Sequence, residues 1–231
     1  MPRLLLTNDD GVDAPGMDAL LRATEGLGER RVVAPSRGYS ACSHVVTTHK
    51  PIAVERRADG RLSIDGSPCD CVRLGLHRLA PGTEWVVSGI NAGGNLGSDV
   101  HISGTVAAVR EAVLHGMPGV AVSHYIAKGQ TIDWEAAARR AAPVIRDLIS
   151  RAWAPATFWN VNLPHVPPGA PEPSVVECPL DLSPLPLDFD WSDDDVSAHY
   201  RADYHGRARV GGSDVDVCFR GSIAVSLVRL G

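Results

Sequence analysis

No stretch of this chain approaches the ~18 consecutive apolar residues that a membrane-crossing helix needs. The opening run Met-Pro-Arg-Leu-Leu-Leu is too short for the core of a signal peptide, and no small-residue cleavage site follows it. A cytoplasmic address is therefore expected, with no membrane partner. Cysteine is sparse and odd in number, at Cys42, Cys69, Cys71, Cys178 and Cys218, which excludes a closed disulfide framework and reads as reduced, mostly buried thiols. Cys69-x-Cys71 lacks the second pair or the neighbouring histidines of a structural zinc motif, and the nine histidines recur at no ligand-like spacing. An excess of positive charge is also missing. The formal net charge is -5, and Lys50 and Lys128 are the only lysines, so no basic stripe is available for a nucleic-acid polymer. A small phosphorylated metabolite remains compatible with that balance, because a divalent cation can supply the charge.

What remains is an ordinary globular composition, 44% hydrophobic and 21% charged over 231 residues, enough for one substantial core with an appendage. Short apolar runs alternate with helical periodicity over the first two thirds. Strands are expected at Arg3–Thr7, Arg31–Ala34, Trp85–Ser88, Gly119–Ser123 and Thr157–Asn162, with helices at Pro15–Leu27, Pro68–Leu79, Thr105–His115 and Trp134–Ala152. A hairpin is expected from Ile52–Arg56 and Arg61–Ile64, turned at Asp59-Gly60. Strands apolar on both faces, separated by helices, argue for a Rossmann-like α/β fold: a mostly parallel sheet with helices on both faces. This core is expected over 1–163, with a C-terminal extension and β-hairpin arm over 164–231. Pro164 to Pro186 is too rich in proline for a regular helix. Asp188–Asp195 is an acidic run around Trp191, expected as a solvated loop or a lid, and Asp214–Phe219 with Ser222–Val228 alternate like a two-stranded ribbon.

In a sheet of this kind, ligands sit beyond the carboxyl ends of the strands. Three segments there carry chemistry. Asn8-Asp9-Asp10-Gly11 follows the first strand directly, and a chain turning out of that strand brings two hard carboxylates together, as Mg²⁺ or Mn²⁺ requires. A simple Asx turn would use only one of them. The loop from Pro35 to His44 offers Ser40 or Ser43 as a hydroxyl ligand, unless both are plain turn serines. Ser88-Gly-Ile-Asn91-Ala-Gly-Gly-Asn95-Leu-Gly-Ser-Asp99 combines inward-facing backbone N–H groups with neutral amide side chains. Ser103-Gly104-Thr105 then opens a helix, whose N-terminus favours phosphate.

Taken in order, these segments resemble the SurE family of metal-dependent 5'/3'-nucleotidases. The matching stretches are Thr7-Asn-Asp-Asp-Gly11, Ala34-Pro35 with the serine loop to Thr47, Gly66-Ser-Pro-Cys-Asp-Cys-Val72, Val87-Ser-Gly-Ile-Asn-Ala-Gly93 with Asn95-Leu-Gly97, and Ser103-Gly-Thr-Val-Ala-Ala108. They are collinear over roughly the first 125 residues. The resemblance implies one divalent metal ion per subunit, Mg²⁺ or Mn²⁺, held by Asp9, Asp10, Ser40 and Asn91. It implies a phosphate cradle at Asn95, Ser103, Gly104 and Thr105, with Asp9, Asp10 and Asn95 catalytic, and an aspartate acting as base or as nucleophile. It also implies a homodimer, in some cases a tetramer, built through exchanged C-terminal arms. The substrate expected is a small phosphomonoester, a nucleoside 5'- or 3'-monophosphate.

Departures from the family pattern are local. Ala41-Cys42 follows Ser40 where glycine and alanine are usual, Asp99 stands at an acidic position before the helix with His101 beside it, and the C-terminal third retains only Gly221-Ser-Ile-Ala-Val-Ser226 faintly. A phosphatase specialised for one biosynthetic intermediate, or an inactive member, are the alternatives that this divergence leaves. Other classes fit less well. A phospho-receiver needs an acceptor aspartate paired with a downstream lysine, a zinc deacetylase needs a histidine before the paired aspartates, and a dinucleotide enzyme needs G-x-G-x-x-G after the first strand.

Overall fold

The computed structural model describes residues 1–167, 169–201 and 203–230. The first strand, β1 (Arg3–Thr7), buries Leu4, Leu5 and Leu6 completely. Strand alternation sends Leu4 and Leu6 to one face of the sheet and Leu5 to the other, so both faces must be covered. On the first face, α1 (Pro15–Ala23) and α4 (Trp134–Ser150) pack Met17, Leu20, Ile145 and Leu148 against Leu4 and Leu6. On the second, α2 (Pro68–Leu74) and α3 (Gly104–Leu114) bring Val72 and Ala108 against Leu5. Each helix starts where its sequence says it should. Pro15 and Pro68 occupy first-turn positions, and Ser67 and Asp70 form a reciprocal capping box. Asp133 caps α4 through Ala136 N at 3.0 Å. The helix expected at Pro68–Leu79 is α2 continued by a wider π-helical turn over Gly75–Leu79.

The remaining strands are β2 (Glu29–Pro35), β3 (Val54–Arg56), β4 (Leu62–Ile64), β5 (Trp85–Ala92), β6 (Gly119–His124), β7 (Thr157–Leu163), β8 (Val175–Glu177), β9 (Phe189–Trp191), β10 (Ala198–Tyr200) and β11 (Ile223–Arg229). One sheet of nine runs β3-β4-β2-β1-β5-β6-β7-β11-β8, parallel throughout except for the β3–β4 and β7–β11 pairs. The expected hairpin is the β3–β4 pair, in the register Val54↔Ile64. From β1 the chain first adds β2 on one side and later β5 on the other. The carboxyl ends of β1 and β5 therefore flank the topological switch point, where open α/β sheets place their ligands.

Three expectations are corrected. Strand β5 does not stop at Ser88 but continues to Ala92, with a register shift between Ser88 and Asn91. Glycine makes this possible. Gly89 adopts a φ of 139°, and a β-carbon there would lie only 2.2 Å from the Val122 carbonyl oxygen of β6. Next, Asp214–Phe219 is a short helix, α5, and not half of a ribbon. Its alternating Asp-Val-Asp-Val also fits a helical turn, capped by Ser213 and burying Val215 and Cys218 three residues apart. Last, the segment Ser222–Val228 supplies β11, which joins the main sheet between β7 and β8. The only two-stranded ribbon among the described residues is β9–β10, which brackets the exposed acids Asp193–Asp195. No helix among the described residues is long and apolar enough to cross a membrane.

The end of β6 is acid-sensitive. His124 is buried, its Nδ1 donates to the Tyr125 carbonyl at 2.8 Å, and burial pushes its pKa down to about 4, with His165 and Arg140 adding to the effect. A folded pKa below the unfolded value of about 6.5 means stability is fully present above pH 6.5 and lost as pH falls through 4. Between pH 7.5 and 4, the wild type is expected to lose up to about 3 kcal/mol more than His124→Asn. Urea denaturation of both proteins across that window is the measurement, and parallel pH profiles would remove the effect from His124.

Candidate active site

Asn8 shapes the turn out of β1: its Oδ1 accepts from Gly11 N at 3.2 Å and its Nδ2 donates to Gly11 O at 2.8 Å. The Asx turn is therefore made by Asn8, and both aspartates are released from that duty. Asp9 is 5% exposed. Its Oδ1 accepts from Thr105 Oγ1 at 2.5 Å, while its backbone oxygen accepts from Tyr39 N at 2.7 Å. Burial pushes the Asp9 carboxyl up to about 6, against the Thr105 hydrogen bond, and the Asp10 charge adds to the rise. Asp10 is half-buried and accepts from Ala92 N at 3.0 Å, which ties the β1 turn to the end of β5. Among the described residues neither aspartate has a cationic side chain in salt-bridge range.

The amino end of α3 closes the site. Ser103 caps the helix through Val106 N at 3.0 Å, leaving the N–H groups of Gly104 and Thr105 without intrahelical partners. A β-carbon at Gly104 would sit 2.8 Å from both Asp9 Oδ2 and Cys42 Sγ. Glycine is thus required for the helix terminus to approach the carboxylate. Asn91, at the end of β5, spends its Nδ2 on Gly93 O at 2.8 Å and keeps its side-chain oxygen free of that bond. Ser40 is exposed at the rim. Asn95 is held on several sides: its N donates to Asn162 Oδ1 at 2.8 Å, its O accepts from Asn160 and Asn162, and its Nδ2 donates to Ser123 Oγ at 2.7 Å.

Asp9, Asp10, Ser40, Asn91, Asn95 and Ser103 line a single cleft of about 350 Å³. Gly104 and Thr105 sit directly behind it, against Asp9. The same cleft is lined by Asp99 and by residues to which sequence reasoning gave no role, Leu185, Tyr200 and Tyr204. Two of these residues, Asp99 and Tyr204, belong to a buried lock. Asp99 Oδ2 accepts from Arg207 at 3.0 Å and from Tyr204 Oη at 2.9 Å, and Arg207 also donates to Leu96 O at 3.1 Å. The carboxylate of Asp214 accepts from Gly97 N at 2.7 Å and from Asp181 N at 2.8 Å. The C-terminal segment is thereby bonded to the glycine-rich loop that carries Asn95. No local motif marks Tyr204 or Arg207; the acidic run Asp188–Asp195 is the only signal nearby.

A family model described as "Survival protein SurE" matches residues 4–177. The chain belongs to the SurE family. A Nostoc protein carrying the name "Putative 5'-nucleotidase" is 48% identical over 227 residues, covering 98% of this chain and 99% of that one. The 5'-nucleotidase SurE of Geobacter sulfurreducens is 47% identical over 165 residues, covering 71% of this chain and 63% of its own length. The SurE crystal structure from Aquifex aeolicus superposes with a TM-score of 0.87 at 28% identity, over 100% of this chain and 94% of that one. The α/β fold expected from the strand and helix pattern is thus the SurE fold.

Proposed function

We propose that this SurE protein is a metal-dependent phosphomonoesterase that hydrolyses nucleoside 5'- or 3'-monophosphates, with the Asp9–Asp10 cleft as its active site. The observation that carries this reading is the meeting, at the switch point, of two adjacent carboxylates with the amino end of α3. The 5'-nucleotidase names of its relatives support the same activity. Asp9, Asp10, Ser40 and Asn91 would hold one Mg²⁺ or Mn²⁺ per subunit. They offer only hard oxygen donors, and the buried Asp9 carboxyl, whose ionisation is disfavoured, has no cationic side chain in salt-bridge range among the described residues. Bound there, the ion would supply Lewis acidity towards the phosphoryl group and its attacking water. Gly104 N would donate to phosphoryl oxygens as negative charge builds on them, with Ser103 and Asn95 flanking, while Thr105 acts through Asp9, to which its N–H and Oγ1 donate. A carboxylate of the pair supplies the base or the nucleophile, and acid-quench trapping of a phosphoaspartate distinguishes the two.

Tyr200 and Tyr204 give the cleft an aromatic wall suited to a nucleobase. Phosphate release is therefore expected from nucleoside monophosphates in preference to sugar phosphates. Tyr200→Ala should raise KM for nucleotides by roughly tenfold while leaving kcat and sugar-phosphate turnover little changed, since one base–aromatic stack is worth ~1–3 kcal/mol. Release from sugar phosphates alone would retain the phosphatase and exclude the nucleotidase. The reading further assigns 1–163 as the catalytic core and 164–231 as an arm that pairs subunits into a homodimer in the cytoplasm. Exposed Phe189, Trp191 and Val196 on the β9–β10 ribbon support that pairing, because such apolar surface favours a protein contact.

A further inference from the structure

Behind the serine loop lies a second cluster that phosphate chemistry does not use. His44 Nε2, Cys69 Sγ and a carboxylate oxygen of Glu111 lie within 4.8 Å of one another. They come from three elements: the loop that carries Ser40, the first turn of α2, and α3. Cys69 is fully buried and the Glu111 side chain is 6% exposed, whereas His44 reaches in from the half-open side. The two carboxylate oxygens have separate partners. Oε2 meets His44 Nε2 at 2.6 Å, and Oε1 takes His115 Nε2 at 2.8 Å and Arg73 Nε at 3.1 Å.

We propose that His44, Cys69 and Glu111 form a second metal site, selective for a borderline-soft ion of the zinc class and separate from the all-oxygen site of the catalytic cleft. One imidazole, one thiolate and one carboxylate are donors that zinc accepts and Mg²⁺ does not favour. Arg73 and His115 occupy Glu111 Oε1, which leaves Oε2 facing the imidazole and the buried thiol as one of three converging donors. Metal binding moves two protons: the Sγ–H proton leaves to solvent, and the His44 Nε2 proton passes by way of solvent to Nδ1, so that Sγ, Nε2 and Glu111 Oε2 bond the ion. His115 and Arg73 then hold Oε1 from outside, the support that metal-ligating carboxylates receive, and water takes the fourth position. Sequence spacing could not show this, because the ligands at 44, 69 and 111 belong to three separate elements. Such a site would pin the serine loop to α2 and α3, four residues beyond Ser40.

Cobalt substitution is the test. The full chain, stripped with EDTA, is titrated with Co²⁺. A near-ultraviolet thiolate-to-cobalt band that saturates at a single equivalent and is displaced by Zn²⁺ is expected. The band should vanish in Cys69→Ser. It should require at least tenfold more Co²⁺ in His44→Gln, a half-exposed position whose change spares the core. It should persist in Cys42→Ser, in Cys71→Ser and in Asp9→Asn, which keeps the result independent of the catalytic reading. No thiolate band in the wild type, or one unchanged in folded Cys69→Ser and His44→Gln, would overturn the site.

Discussion

Asp9→Asn is expected to lower phosphate release by at least a thousandfold while the protein stays folded and, free of metal, becomes more stable. The two effects share one cause. Asp9 is buried beside Asp10, with no cationic side chain in range among the described residues, and burial lifts its folded pKa to about 6, above the ordinary value of 3.8. A raised carboxyl pKa means stability is fully present below pH 3.8 and is lost as pH rises through 6. At pH 8 the metal-free wild type therefore carries up to about 3 kcal/mol of cost that a neutral amide of the same shape avoids. The amide oxygen can still accept from Thr105 Oγ1, so the β1 turn and α3 remain joined. Activity follows the opposite course, because removing one carboxylate strips a charged donor from the proposed metal set. Thermal unfolding in EDTA at pH 8, beside phosphate release in Mn²⁺, checks both parts. A less stable metal-free mutant would contradict the electrostatic origin, and wild-type turnover would contradict the site.

Arg207→Ala is expected to cost about 3–5 kcal/mol, the usual consequence of leaving one partner of a buried ion pair uncompensated. Arg207 and Asp99 are both nearly inaccessible as side chains, at 5% and 11%. The loss should exceed that of the double variant Asp99→Asn/Arg207→Met, in which no charge is stranded. Because Tyr204 shares Asp99 and stacks under the Arg207 guanidinium, 4.5 Å from its ring centre, the cleft wall should loosen as well. Urea midpoints for the three proteins give the comparison. A cost below 1 kcal/mol for Arg207→Ala would mean that solvent reaches Asp99 far more freely than its burial indicates.

The parts legible in the sequence are those set by local rules. Leu4-Leu5-Leu6 reads as a strand buried on both faces, Pro68 as the start of a helix, and Ser103-Gly104 as a helix start, and each is found as read. The candidate residues Asp9, Asp10, Ser40, Asn91, Asn95 and Ser103 share one cleft, since all lie at carboxyl ends of strands whose parallel order follows from βα alternation. The C-terminal third was harder for a physical reason. Asp-Val-Asp-Val satisfies a period of two and a single helical turn equally well, and only burial of Val215 and Cys218 decides between them. Likewise β11 finds its partner more than sixty positions back, in β7, and the Asp99–Arg207 pair spans 108 positions. Contacts of that range leave no periodicity to read. The family match ends at residue 177, before most of these residues. Leu185, Tyr200 and Tyr204, which line the cleft, therefore lie beyond the part that the family model describes.

Phosphate release from a nucleoside 5'-monophosphate, measured against Mn²⁺ concentration from EDTA-stripped protein, bears most directly on the proposed chemistry. Turnover should be absent in EDTA, rise along a saturable curve, and be lost again on adding excess chelator. Asp9→Asn should stay flat over the same range. Hydrolysis that proceeds undiminished in EDTA, or that Asp9→Asn retains, would contradict a metal-dependent site built on Asp9 and Asp10.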